Sequence, residues 1–437
     1  MRIPSQQFPT KPRRPAAMVH QIGQKLREQI HRFSGELSKG LGLVSTRFVE
    51  EMIYGLSSGG SVRLTEIGRS LEEEISLHAT HKRLSRNLAR EDLGTKISQE
   101  ILELGARRIK DDTLLIVDPS DLTKKYAEKM EYLADVRDGS DKTIGSGYWL
   151  CEVIGCEVGS NKITPLAETL WSQKAPGFVS ENDEVLTLVK KVRQATGGRG
   201  ILVYDRGGDR RTFLVPWTQD DSCRYLIRQR GDRQLLYKGK LKKELDLAET
   251  CKTPYSETII KEKDGTEKVY FLDYGFIPVR LPEHAARPLW LVVIKGFGKK
   301  PLMLLTTEPM RRHRKTIKWA LDAYLTRWRI EDTIRFLKQG YDFEDVRVLT
   351  YQRLKNMATL LLAASYFSMV WLGAKTKLTI LSMHVMEASK RIFGIPDFRY
   401  YALADGIKAV FKRIGKGPII ATLSESIQCE QPTLFGL

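Results

Sequence analysis

Between residues 324 and 338 the chain reads Tyr-Leu-Thr-Arg-Trp-Arg-Ile-Glu-Asp-Thr-Ile-Arg-Phe-Leu-Lys. The stretch has no Gly or Pro, lies in a helix-favouring segment that starts near Arg311, and is followed by Gly340, so it is predicted to be one helix. At roughly 100° per residue, Tyr324, Arg327, Glu331, Arg335 and Lys338 fall within about 80° of one another. One face therefore carries a carboxylate ringed by cations and a phenol. Such a face suits a solvated i,i+4 ion pair between Arg327 and Glu331, or a carboxylate that holds a divalent metal with Arg and Lys beside it to grip phosphate oxygens. The helix alone does not choose between them, and the second chemistry needs two more carboxylates.

Two apolar runs end in acids. Thr113-Leu-Leu-Ile-Val leads into Asp118-Pro-Ser-Asp, and Gly200-Ile-Leu-Val-Tyr leads into Asp205-Arg-Gly-Gly-Asp. Each reads as a buried strand delivering a carboxylate at its C-terminal end. Asp118, Asp205 and Glu331 would then form a set of oxygen ligands for a two-metal phosphodiester site, with Mg²⁺ the expected ion and Mn²⁺ able to substitute. Asp121, Asp138, Asp141 and Asp209 lie nearby in sequence, but none of them ends an apolar run.

The elements that must position these acids run from Asp111 onward. Strand signals at Thr113–Val117, Gly147–Val158 and Lys162–Trp171 precede a helical pattern at Glu181–Gln194. A strand at Gly200–Tyr204, an amphipathic segment at Arg210–Trp217 and a strand at Arg224–Arg228 follow. This is the order of a ribonuclease-H-like α/β core, in which the first and fourth strands are neighbours and Asp118 would lie beside Asp205. Between Arg228 and the helix of Glu331, alternating and β-branched segments (Gln234–Tyr237, Lys268–Tyr274, Phe276–Leu281, Leu289–Lys295, Pro301–Thr307) predict a β-rich insertion.

Upstream, residues 1–20 are Pro-rich and basic and are expected to form a mobile arm, followed by helical spacing from Val19 to Gly55 and a Gly/Ser linker at Ser57–Ser61. Two short helices with a brief connection come next, the second starting after Ser76 as N-cap, with Leu77, Leu84 and Leu88 inward and Lys82, Arg83 and Arg86 available to DNA. An ordinary basic helical hairpin has the same pattern. The domain reading is 1–108 helical and DNA-binding, 109–231 core, 232–307 insertion, 308–373 core with the Glu331 helix, and 374–437 a helical C-terminal region.

Composition narrows the partner. Lys plus Arg number 71 against 53 Asp plus Glu, a net charge of +18, which suits a polyanion such as DNA. The most apolar stretch, Met357–Leu372, is broken by Ser365 and Ser368 and reads as a buried helix, so no membrane is expected. The N-terminus has no apolar segment of secretory type, and five cysteines make no disulfide framework, so a cytoplasmic protein is expected.

Tyr324, Arg327, Glu331 and Lys338, at those spacings, resemble the Tyr-Arg-Glu-Lys signature of insertion-sequence transposases of the "insertion sequence four" family. Val-Asp118-Pro-Ser-Asp and Tyr-Asp205-Arg-Gly-Gly-Asp resemble the family's other two motifs, and the resemblance spans about residues 111–372. It implies an Asp-Asp-Glu catalytic triad of Asp118, Asp205 and Glu331 and cut-and-paste movement of a DNA element. Tyr324, Arg327 and Lys338, with Arg335 beside them, would grip phosphates near the cleaved end. It also implies terminal inverted repeats and target DNA as partners, and a homodimer in the synaptic complex. Such enzymes carry a Trp six residues before the Glu of a Thr-Xaa-Glu-Pro-like turn that stacks on a flipped base during a hairpin step. Here the turn is Thr306-Thr307-Glu308-Pro309 and that position is Leu302, with Met303 and Trp290 nearby. A nuclease of the same fold that does not join strands, and a transposase-derived DNA-binding protein without chemistry, are the competing readings.

Overall fold

A computed structural model describes residues 16–139, 143–263, 266–373, 376–389, 398–415 and 417–418. The chain opens with helices α1 (Ala16–Leu37), α2 (Leu43–Gly59), α3 (Leu64–Leu71), α4 (Leu77–Leu88) and α5 (Glu91–Ala106). Next come strands β1 (Leu114–Thr123), β2 (Ala134–Arg137), β3 (Ile144–Cys156) and β4 (Ile163–Trp171), helix α6 (Glu181–Ala195), strand β5 (Ile201–Tyr204), helix α7 (Arg211–Gln219) and strand β6 (Tyr225–Arg228). A strand-rich part follows: β7 (Gln234–Tyr237), β8 (Lys240–Lys243), helix α8 (Glu244–Thr250), β9 (Tyr255–Lys263), β10 (Thr266–Leu281), β11 (His284–Lys295) and β12 (Leu302–Thr306). Helices α9 (Arg314–Thr326), α10 (Trp328–Gly340), α11 (Tyr351–Met369), α12 (Thr376–Ala388) and α13 (Tyr400–Ile414) close the chain.

The protein is a mixed α/β structure with a helical N-terminal region and one large mixed sheet, ordered β2-β3-β1-β5-β6-β12-β11-β10-β7-β8, with β4 also on β3 and β9 also on β10. Strands β1, β5 and β6 run parallel, and β3 runs against both β1 and β4. The apolar run of β1 is continuous because both of its faces are covered. Leu114 and Ile116 join the core shared with α5, α10 and α11, while Leu115 and Val117 join the core under α6 and α7. The strand-rich part continues this same sheet, since β12 pairs antiparallel with β6.

Several expectations are corrected. Ala16–His20, read as part of a mobile arm, begin α1, while residues 1–15 lie outside the described residues. Ser57–Gly59, read as linker, form the last turn of α2, where Ser57 is buried. Between the strands expected at Thr113–Val117 and Gly147–Val158 lies a further strand, β2, which pairs with the start of β3. The break expected between Tyr274 and Phe276 does not occur. The carbonyl of Lys252 sits where a side chain at residue 275 would begin, 2.1 Å from an ideal Cβ, so Gly275 admits a close approach inside β10 and ends nothing.

The helix predicted across 324–338 is two helices that meet at Arg327. At the junction Arg327 N donates to Tyr324 O (3.2 Å) and Ile330 N to Arg327 O (3.1 Å), three-residue bonds that tighten the turn. Thr326 Oγ1 donates back to Asp322 O at 2.7 Å and accepts from Gly159 N at 2.9 Å, and back-bonding of this kind bends helices. Helix α11 is long and apolar enough to cross a membrane by length and composition, and is mostly buried inside the fold against α5 and β4. In the C-terminal region α13 packs on α1, α2 and α12.

Candidate active site

Asp118 sits where one neighbour of β1 stops and the other continues. Pairing with β5 ends at Val117 opposite Tyr204, whereas pairing with β3 runs on to Thr123 opposite Gly147. The expectation that the strand ends at Asp118 therefore holds on the β5 side only. Lys124 N donates to Ser146 O, so along the regular β1–β3 ladder the even positions of β1 bond to β3 and the odd ones face β5. Pro119, which has no N–H, thus turns its missing donor toward the edge where pairing has ended.

The parallel register puts Asp205 next to Asp118, one residue beyond the last paired position. Asp205 opens a single tight turn over Arg206–Gly208, and its Oδ1 accepts from Gly207 N at 2.6 Å. A Cβ at Gly207 would stand 2.9 Å from that oxygen, so glycine at 207 leaves this hydrogen bond undisturbed.

Helix α10 brings Glu331 over these strand ends, with Arg327 bonded to Glu331 and its charge acting on Asp118. Arg327 Nη2 donates to Glu331 Oε1 at 2.6 Å, and its side chain is buried while that of Glu331 is half exposed. Burial pushes the Asp118 carboxyl up, the Arg327 guanidinium pulls it down, and the charges of Asp205 and Glu331 push it up again, to about 7. Burial also disfavours the Arg327 charge, but Asp118, Tyr324 and Glu331 together hold its pKa above the ordinary value. The Tyr324 ring is buried with Arg327 5.6 Å and Arg228 5.9 Å from its centroid, and its hydroxyl accepts from Arg228 Nη1 at 3.2 Å. Two guanidinium groups are thus gathered on one aromatic ring beside the acids. Arg228 was not singled out from sequence, because only the pairing of β6 with β5 and β12 brings it here.

Among the described residues, no three Asp, Glu, His or Cys side chains already stand together as a metal-binding group. The chemistry of the donor set fits a hard divalent ion nonetheless. Asp118 is half-buried beside two other acids, and Arg327 supplies the positive charge that such an ion would also supply.

The other predicted contacts divide into engaged and open ones. Lys338 Nζ lies 3.0 Å from Asp121 Oδ2 and 3.1 Å from Glu344 Oε1. Asp121 is disfavoured as an anion by burial, yet Lys338, Thr123 and Gly139 N hold its carboxyl below the usual range. Arg335 has one long contact, 3.6 Å to Asp332, and is largely exposed. In α4, Ser76 caps the helix by accepting from Ala79 N at 3.3 Å, and Lys82 and Arg86 are exposed. Arg83 instead joins Glu51 and Glu73, the latter at 2.8 Å, in a network that Arg47 completes. Leu302 and Met303 are buried strand residues, and Trp290 pairs with Thr306 across β11 and β12.

Residues 164–367 match the family model for the transposase DDE domain. The match contains Asp205 and Glu331, begins after Asp118, and supports a DDE transposase and hence a polynucleotidyl transferase. No curated protein matches the chain. Among solved structures, the chain is similar to one described as "Cryo-EM structure of piggyBac transposase synaptic complex with hairpin DNA", at 11% identity over 97% of this chain and 86% of that one, with a TM-score of 0.42.

Proposed function

We propose that the chain is a DNA transposase of the "insertion sequence four" kind, which moves an insertion sequence by metal-dependent cut and paste. The observation that carries this reading is the meeting of Asp118, Asp205, Arg327 and Glu331 at the strand ends beside α10. The strand order β4-β3-β1-β5-β6, with β3 alone reversed, supports a ribonuclease-H-like core. On this reading the core comprises 109–231 and 308–373, with 232–307 as its insertion, 1–108 as the DNA-binding region and 374–437 as a helical C-terminal region.

Asp118, Asp205 and Glu331 would hold two Mg²⁺ ions, or Mn²⁺ in their place, which supply Lewis-acid polarisation of the phosphate and a more acidic bound water. Water attacks the phosphorus at the element's end, the bond from phosphorus to the 3′ oxygen breaks, and that oxygen takes up a proton. The products are a 3′-hydroxyl on the element and a 5′-phosphate on the flank. The hydroxyl then attacks a target phosphodiester, forming one phosphorus–oxygen bond as the target's own 3′ oxygen leaves. Arg327, held against Tyr324, contacts phosphate beside the acids, and Lys338 and Arg335 line the same helix. Lys82 and Arg86 of α4 read or position the terminal inverted repeats. A homodimer pairs two ends, and the protein works in the cytoplasm on the nucleoid.

The test is a cleavage and joining assay with Mg²⁺ on DNA carrying the element's ends, comparing wild type with Glu331→Ala. The expected result is nicking and joining by wild type, and binding without chemistry by the variant. Equal cutting by both overturns the triad. Cleavage without any joined product favours a nuclease, and a hairpin band decides whether Leu302 permits that intermediate.

A further inference from the structure

The row of acids at the strand ends does not stop at Asp118. On the other side of β1 from Asp205, Asp118 stands directly opposite Glu152 of β3, and Glu152 stands opposite Glu168 of β4. Directly opposed residues project to the same face of a sheet, so Asp205, Asp118, Glu152 and Glu168 form one transverse line across four neighbouring strands. That face is the one on which Leu114, Ile116, Leu150 and Ile154 pack in the core shared with α10.

Glu152 is 2% exposed and its Oε1 has no hydrogen-bond partner. A buried carboxyl oxygen left without a partner carries an uncompensated desolvation penalty, and any negative charge shared by directly opposed acids adds repulsion to it. Lys338, whose charge acts on Glu152, is already engaged by Asp121 and Glu344. A cation seated at Asp118 would give Glu152 a partner one strand away, within reach of a side chain one methylene longer than Asp. Glu168 lies a strand farther off and has its own unpartnered Oε1.

We propose that Glu152 is a fourth carboxylate of the divalent-cation site, joining Asp118 from the β3 side as Asp205 joins it from the β5 side. The proposal rests on the reading of Asp118, Asp205 and Glu331 as metal ligands and extends it to a residue outside the signature motifs. It places the ligand set on three adjacent strands and one helix.

The test is a Mn²⁺ titration of the full chain without DNA, with bound and free ion counted by electron paramagnetic resonance and melting temperature recorded in parallel. Wild type, Glu152→Gln, Glu168→Gln and Asp118→Asn are compared. The expected result is that Glu152→Gln binds at least one ion tenfold or more weakly and loses most of the Mn²⁺-induced rise in melting temperature. Its melting temperature without metal should stay close to that of wild type, because an amide is nearly isosteric with the carboxyl group and adds no charge. Glu168→Gln should bind within twofold of wild type. If Glu152→Gln binds as wild type does while Asp118→Asn fails to bind, Glu152 is a structural acid and the inference is overturned. If Asp118→Asn also binds as wild type, the metal assignment under the proposed function falls and takes this inference with it.

Discussion

Lys338, in the last turn of α10, sets its Nζ 3.0 Å from Oδ2 of Asp121 on β1, so the helix that carries Glu331 is pinned to the strand that carries Asp118. Both side chains are mostly withdrawn from water, and Glu344 closes the other side of the ammonium at 3.1 Å. The contact fixes the distance between two candidate metal ligands without using either of them. Asp121→Asn should cost about 1–3 kcal/mol in urea denaturation, as expected for breaking a largely buried ion pair while the Glu344 contact to Lys338 is retained. Strand cleavage should fall while binding of end DNA persists. Unchanged stability and unchanged cleavage would show that the pin carries no load.

The Arg327 guanidinium compensates Asp118 and Glu331 together, so Arg327→Gln should act on chemistry more than on affinity. A loss of about 10²-fold in cleavage rate is expected for removing one charge-stabilising donor from such a site, with end binding reduced less than tenfold in a gel-shift titration. An equal fall in both would make Arg327 a general DNA contact.

Basic residues on α4 should separate by function. Lys82→Ala and Arg86→Ala, both at exposed positions, should weaken binding of end DNA and lower the slope of log affinity against log salt by about one each. Arg83→Ala should leave that slope alone and instead destabilise the N-terminal helices by about 1–3 kcal/mol, because Glu51 is buried and depends on it. Salt-dependent binding measured beside thermal melting distinguishes the two outcomes.

A pH dependence resides in the strand-rich part. Burial pushes Glu244 up to about 8, Asp209 adds to the rise and Arg233 opposes it. Its folded-state pKa lies above the unfolded value, so its contribution is complete below about pH 4.5 and is lost as pH rises through 8. Wild-type stability should therefore fall between pH 5 and pH 8 by on the order of 2–4 kcal/mol from this group, and Glu244→Gln should flatten the decline. Denaturation midpoints at both pH values check it, and parallel declines in the two proteins would remove Glu244 as the cause.

Much of this site is written locally. The apolar runs before Asp118 and Asp205, the Gly207 turn and the spacing of Arg327 to Glu331 depend on near neighbours, and a strand's alternation or a helix's turn is a local property that sequence spacing encodes. The bend at Arg327 was hidden because it depends on Gly159 N, a donor brought from a distant loop to Thr326. The engagement of Arg83 by Glu51 and Glu73, the seat of Arg228 on Tyr324 and the place of Glu152 opposite Asp118 were equally out of reach. Each depends on which strand or helix becomes the neighbour of which. The sequence alone determined which side chains have the chemistry, and the register of β1 against β3 and β5 decided which of them meet, because a shift of β1 by one residue would turn Asp118 to the face opposite Asp205 and Glu152.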